Sequence, residues 1–198
     1  MSSVSSTVDR MIEDVIRREG GFVDHPADRG GPTKFGITQA TLAGYCGHPV
    51  GAAEVAALNA DQAKQIYRRD YYFAPRIDQL PARIQPFVFD SAVNHGPARA
   101  IGFVQQVCNQ AGFATSSAAA GAARGGSLVV DGICGSRTVR AAHDADWVMK
   151  DWLLAALIEE RRNFYHAIVA RDSSQRAFID GWLTRLSEFD TAVEGLVA

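Results

Sequence analysis

Two carboxylates and a hydroxyl, Glu19, Asp28 and Thr33, fall close together near the start of the chain. A carboxylic acid that can donate a proton, facing a second carboxylate that aims a water or stabilises a positive sugar carbon, is a minimal set for breaking a glycosidic bond. Glu19 has the surroundings such an acid needs. Val8, Met11, Ile12, Val15 and Ile16 recur at helical spacing, and Glu19 extends the same apolar face to the helix end. Burial disfavours the anion there, and the negative end of the helix dipole disfavours it again, so both push the Glu19 pKa upward. A buried glutamate paired with an arginine or a backbone amide satisfies the same position without any chemistry. Asp24 competes with Asp28 for the second role, being nearer to Glu19 in sequence.

The elements that must position these groups are one helix and one loop. Residues 19–38 read EGGFVDHPADRGGPTKFGIT and carry no helical period. Gly20-Gly21 stop the helix, Pro26 holds His25 extended, and Gly30-Gly31-Pro32 makes a further bend. Thr33, Phe35 and Ile37 alternate with Lys34, Gly36 and Thr38, which predicts one short strand of a small sheet. Asp28 and Thr33 then sit on a compact flap that folds back over the helix end carrying Glu19.

Helix dominates the rest of the chain. Ser6, with Asp9 three residues on, suits a capping box for the first helix. Thr38 caps a short helix through Tyr45, and Asn59 or Asp61 opens another that ends around Arg68-Arg69 with Tyr71-Tyr72. Pro86 starts a helix stopped by Gly96, and the next carries Ile101, Val104, Val107, Cys108 and Ala111 to Gly112. Asp131-Gly132 suits a tight turn, and Ser136 or Thr138 begins the following helix. A continuous helical pattern then runs from about Trp147 to Arg171, and a last one carries Phe178, Trp182, Leu186, Phe189, Val193 and Leu196. Asp90, Asn94 and His95 gather at one helix end, where they either line a groove or serve as caps and core hydrogen bonds. Tyr71, Tyr72 and Trp182 are placed to stack on sugar faces or to pack in the core.

Three segments carry a family resemblance. The run at 19–38 resembles the signature of glycoside hydrolase family 108, the N-acetylmuramidases found among phage endolysins and secretion-associated lysozymes. FDSAVNHGPARAIGFVQQ at 89–106 resembles the end of that catalytic module and its junction with the next. LVVDGICGSRTVRAAH at 128–143 resembles the DGIxGxxT core of the predicted peptidoglycan-binding module that commonly follows. The resemblance implies an α+β, mostly α-helical, lysozyme-like fold with a small β flap after the first helix and a helical C-terminal lobe. It divides the chain into a muramidase module at 1–96 and a helical peptidoglycan-binding-like module at 97–198. The low-complexity ATSSAAAGAARGGS stretch forms a flexible insertion at 114–127.

On the same resemblance the chain cleaves the β-1,4 bond between N-acetylmuramic acid and N-acetylglucosamine. Glu19 is then the acid, with Asp28 and Thr33 as partners; Asp24, Asn94, His95 and Tyr71, by their positions and side-chain types, are the expected substrate contacts. Thr33 follows Asp28 by one residue fewer than in the usual phage-lysozyme spacing. Bacterial peptidoglycan is the implied partner, acted on by a monomer without a cofactor. Two other classes stay open: a non-catalytic peptidoglycan-binding protein, for which Glu19 is dispensable, and a secretion accessory that uses its last helix to hold a partner.

Composition sets limits on all of these. The 198 residues are 47% hydrophobic and 21% charged, enough for one substantial domain or two small ones. A net charge of −2 gives no electrostatic reason to expect nucleic acid. The apolar stretch around Trp152 to Ile158 is too short to cross a bilayer, so no membrane insertion is expected. The start, MSSVSSTVDR, has neither a basic nor an apolar signal region, which predicts accumulation in the host cytoplasm followed by holin-type or specialised release toward the wall. Cys46, Cys108 and Cys134 are too few and too scattered for a disulfide framework. The five histidines show no ligand spacing, so no metal site is expected.

Overall fold

The computed structural model describes residues 3–19, 21–23, 31–113 and 127–190, with side chains in the first stretch from 7 to 17. The chain divides into two compact units, Met1–Ala74 and Pro75–Ala198. The first holds α1 (Ser3–Glu19), a three-stranded antiparallel sheet of β1 (Phe22–Val23), β2 (Thr33–Lys34) and β3 (Ile37–Thr38), and helices α2 (Gln39–Cys46), α3 (Ala52–Ala57) and α4 (Ala60–Ile66). The second holds α5 (Gln85–His95), α6 (Pro97–Gln110), α7 (Ser136–Met149), α8 (Asp151–Arg171) and α9 (Ile179–Ser187). The protein is therefore α+β and mostly helical, with its small sheet directly after the first helix. Residues 114–126, which hold nearly all of the expected insertion, lie outside the described residues.

In the first unit α1 buries Val8, Ile12 and Ile16 at one-turn intervals, while Met11 and Val15 are half-buried beside them. That stripe lies against α4, whose Ala63 and Ile66 are fully buried. Ion pairs from Lys64 to Glu13 (3.0 Å) and Arg68 to Asp9 (2.8 Å) fix the rotation of α1 at the rim. Both are exposed and contribute little stability, so the apolar stripe holds the helix in place. α1 begins at Ser3, so Ser6 falls inside its first turn and not at a capping position.

The expected single strand over Thr33–Ile37 is instead a hairpin. Thr33 pairs with Thr38 and Lys34 with Ile37, leaving Phe35-Gly36 as a two-residue loop. Both loop residues take positive φ, 54° and 73°, the primed turn whose twist matches the flanking strands. Phe35 occupies a conformation that its side chain disfavours, and tertiary bonds hold it there: its carbonyl accepts from the Tyr67 hydroxyl at 2.9 Å, and Lys34 sits 5.4 Å from its ring centre. Period-two alternation reads the same through such a turn, which is why the sequence pattern does not show it.

Caps behave as their side chains dictate. The Thr38 hydroxyl accepts from the Thr41 amide to start α2, which Gly47 ends in the left-handed conformation. Asn59 and Gln62 form a reciprocal capping box at α4. Beyond Ile66 the chain widens into a π-helical stretch, Tyr67–Phe73, with the Ala74 amide bonded to the Arg69 carbonyl at 2.7 Å, so the α4 pattern continues past the expected stop.

In the second unit α5 and α6 pack against each other across the turn at Gly96, and α8 packs on α6. The continuous helix expected from Trp147 to Arg171 is broken at Lys150, which has φ 56° and ψ −125°. No glycine marks the break. Arg83 spans it, bonding Asp146 at the end of α7 (3.0 Å) and Asp151 at the start of α8. Replacing Lys150 by glycine removes the cost of this backbone conformation and is expected to raise unfolding stability by about 1 kcal/mol, read by denaturant titration. A decrease would mean that the Lys150 cation over the Trp147 ring, 4.5 Å from its centre, outweighs the strain.

The last expected helix is shorter than its apolar pattern. A 3₁₀ segment covers Ser173–Phe178, α9 runs only to Ser187, and the positions of Val193 and Leu196 lie outside the described residues. All three cysteines are free. Burial pushes the thiols of Cys108 to about 12 and Cys134 to about 11, which leaves both as unreactive core groups.

Candidate functional site

Glu19 is the final residue of α1. The chain leaves it for β1, whose Val23 pairs with Thr33 across the sheet. This pairing returns the flap to the helix end and brings the half-buried Thr33 back beside the segment that follows Glu19. The hairpin is braced from below: the Lys34 ammonium donates to the Ala56 carbonyl at 2.6 Å, and Tyr67 bonds Phe35. The Glu19 side chain, Asp24 and Asp28 lie outside the described residues. Tyr71, in the π-helical stretch, is half-buried with its ring 5.3 Å from that of Tyr67. One frame, made of α1, the sheet and the α4 extension, thus carries Glu19, Thr33 and Tyr71.

Asn94 and His95 belong to the second unit, where they join a buried polar network centred on Asp90. One Asp90 oxygen accepts from Arg161 at 2.6 Å; the other accepts from Arg185 at 2.7 and 3.0 Å. Asn94 donates to the Asp90 carbonyl at 2.7 Å and to its carboxylate at 3.2 Å. Arg161 is fully buried and also donates to the Tyr165 hydroxyl at 2.7 Å and to Ser91 at 3.2 Å. The Tyr165 hydroxyl also shares a hydrogen bond with His95 Nε2 at 3.0 Å. Asp90 does core hydrogen-bonding work here, while Asn94, exposed on the same helix, borders the network. Arg161 and Arg185 were not foreseeable as their partners, because each comes from a distant helix and neither stands in a recognisable motif.

Burial, aided by the Arg161 charge, lowers the His95 pKa to about 4 from its ordinary 6.5, so the ring is neutral at pH 7. The unfolded chain takes up a proton as pH falls below 6.5, whereas the folded chain does not until about 4. Stability is therefore lost between those values, by about 2 kcal/mol once partial solvent exposure is allowed for. Denaturation midpoints measured from pH 7 to pH 4 are expected to fall in the wild type and to fall less in His95→Phe. An equal slope in the two proteins would remove His95 as the cause.

Among the described residues no group of histidine, cysteine and acidic side chains is arranged to hold a metal ion. None of the described helices is long and apolar enough to cross a membrane.

Residues 12–96 match the family model described as glycosyl hydrolase 108, and residues 100–187 match that of a predicted peptidoglycan domain. Among solved structures the chain is similar to SagA of Brucella abortus, at 31% identity over 95% of this chain and 94% of that one, with a TM-score of 0.72. No curated protein matches. The order of elements, a helix ending at Glu19 and then a small antiparallel sheet within a helical frame, is lysozyme-like. Sequence, fold and relative agree, and the chain belongs to the glycosyl hydrolase 108 family, as a peptidoglycan hydrolase whose second matched segment is a predicted peptidoglycan domain.

Proposed function

We propose that the protein is an N-acetylmuramidase that cleaves the β-1,4 bond between N-acetylmuramic acid and N-acetylglucosamine. Glu19 donates a proton to the glycosidic oxygen. Asp28 orients water or stabilises the positive sugar carbon, and Thr33 helps to place that water. Asp24 and Tyr71 supply substrate contacts in the first unit, and Asn94 and His95 supply contacts of their own in the second. The observation that supports this reading most is the junction of α1 with the flap: Glu19 ends the helix, and the Val23–Thr33 pairing folds the following loop back toward it. A hydrolase needs its acid on a rigid element and its water-placing groups near that point, and the pairing of Thr33 with Val23, four residues after Glu19, supports this for Thr33. The chain works as a monomer, reaching the wall from the cytoplasm by holin-type or specialised release.

End-group analysis tests the bond assignment. Mass spectrometry of purified peptidoglycan digested by the protein is expected to find reducing ends on muramic acid. Reducing glucosamine ends, anhydro sugars or free stem peptides identify a glucosaminidase, a lytic transglycosylase or an amidase instead, and each of these overturns the proposal.

A further inference from the structure

A cleft of about 400 Å³ opens in the second unit, lined by His95, Ala98, Arg99, Gly102 and residues 130–132. Its size is that of a small-ligand site. One wall is α6, and the other is the segment after Ser127, which α6 holds in place with two side chains spaced one turn apart. Asn109 accepts from the Leu128 amide at 2.8 Å and donates to its carbonyl at 3.0 Å. Gln105, itself buried, accepts from the Gly132 amide at 2.9 Å and donates to Asp131 at 2.8 Å and to the Ile133 carbonyl at 3.1 Å. Gly132 takes φ 73° and lies so close to α6 that a Cβ would stand 2.5 Å from the Ala98 carbonyl oxygen. The second wall is thus pegged to the first, and the cleft between them is preformed.

Its polar groups differ in character and do not satisfy one another. Arg99 is exposed, with its guanidinium over the Phe164 ring at 5.1 Å and in no ion pair among the described residues. Asp131 accepts from Gln105 and from the Ile133 amide through one oxygen, and its exposed carboxylate stands in no ion pair among the described residues. His95, neutral and bonded through Nε2 to Tyr165, has no hydrogen bond at Nδ1 among them. Val130, half-exposed, adds an apolar surface between these groups. A cation, a neutral imidazole nitrogen and a carboxylate around one apolar cleft are complementary to a short peptide bearing a carboxylate, backbone amides and an amine.

We infer that this cleft binds the peptide stem of peptidoglycan: Arg99 takes a stem carboxylate, His95 a backbone amide group, and Asp131 the side-chain amine of the third stem residue. The inference rests on the reading of the chain as a peptidoglycan hydrolase, and it gives the second unit a task separate from bond cleavage. It selects wall that still carries its peptides over bare glycan.

The probe is N-acetylmuramyl-L-alanyl-γ-D-glutamyl-L-lysine, which has one sugar and therefore no glycosidic bond between sugars for the protein to cleave. Isothermal titration with the full chain is expected to show saturable binding of this probe and none of uncharged tri-N-acetylchitotriose at the same concentrations. Arg99→Gln is expected to weaken the tripeptide by about tenfold, the usual loss when a charge-assisted bond is removed. Val130→Glu, which brings a second carboxylate beside the ligand's own, should weaken it at least as much, with circular dichroism verifying that each variant is folded. Asp131→Asn keeps the oxygen that accepts from Gln105 and loses the charge, so it should weaken the lysine-containing probe and leave muramyl dipeptide, which lacks the amine, unaffected. Absence of tripeptide binding, equal binding of chitotriose, or indifference to Arg99→Gln overturns the inference. A protein that releases reducing muramic acid ends yet shows any of these results keeps its muramidase function and loses only this site.

Discussion

Glu19→Gln is expected to fold as the wild type does and to clear suspensions of purified cell wall at least about a thousandfold more slowly, within the range set by loss of a general acid. Glutamine keeps the volume and the hydrogen-bonding reach of the acid but has no proton to give to a departing sugar oxygen. The expected loss is in turnover, because the substitution keeps the contacts through which the side chain can hold a ligand. The contrast is with Ile12→Ala in the same helix, which removes packing under α1 and should lower stability by about 2–5 kcal/mol and activity along with it. Turbidity clearance measured beside thermal melts separates the two. Full clearance by the glutamine variant would return Glu19 to the role of a paired buried carboxylate.

The second large effect is structural and arises far from the flap in sequence. Asp90→Ala removes the one carboxylate that both Arg161 and Arg185 use. Arg161 is fully buried, and one of its terminal nitrogens already finds no partner among the described residues. Stripping its counter-charge leaves a bare cation in the core, which should cost about 3–5 kcal/mol in unfolding free energy. Replacing both members of the pair, Asp90→Ala with Arg161→Met, should cost less than Asp90→Ala alone, since the desolvated charge then disappears with its partner. Denaturant titration of the two variants checks the order. If the double variant is the less stable of the two, the network contributes through packing and not through charge pairing.

Local signals carried much of this architecture. Thr38 and Asn59 cap the helices that their side chains predict, Gly96 turns the chain between α5 and α6, and the stripe on α1 buries the residues its spacing selects. What escaped the sequence depends on partners distant along the chain. Phe35 is held in its turn by Tyr67, 32 residues away, so alternation alone suggested one strand where there are two. The break at Lys150 is spanned by Arg83, more than 60 residues earlier in the chain. Asp90 meets Arg161 across 71 residues, so its surroundings could be read only as a choice between groove and core. The cleft beside α6 was in view only as a turn at Asp131-Gly132, because the pegs that shape it, Gln105 and Asn109, look like ordinary polar residues in an amphipathic helix. The end of α1 at Glu19 was legible for the opposite reason: the Gly20-Gly21 pair that signals it follows directly in the chain.

The role of Glu19 as proton donor is tested most directly by varying the leaving group. A 2,4-dinitrophenyl glycoside of a glycan ending in N-acetylmuramic acid departs as a stable phenolate and needs no proton, whereas the natural sugar oxygen does. Glu19→Gln should therefore hydrolyse the dinitrophenyl substrate at a rate near that of the wild type while failing on intact glycan. Equal loss on both substrates would contradict proton donation by Glu19 and move its contribution to substrate binding or to the fold.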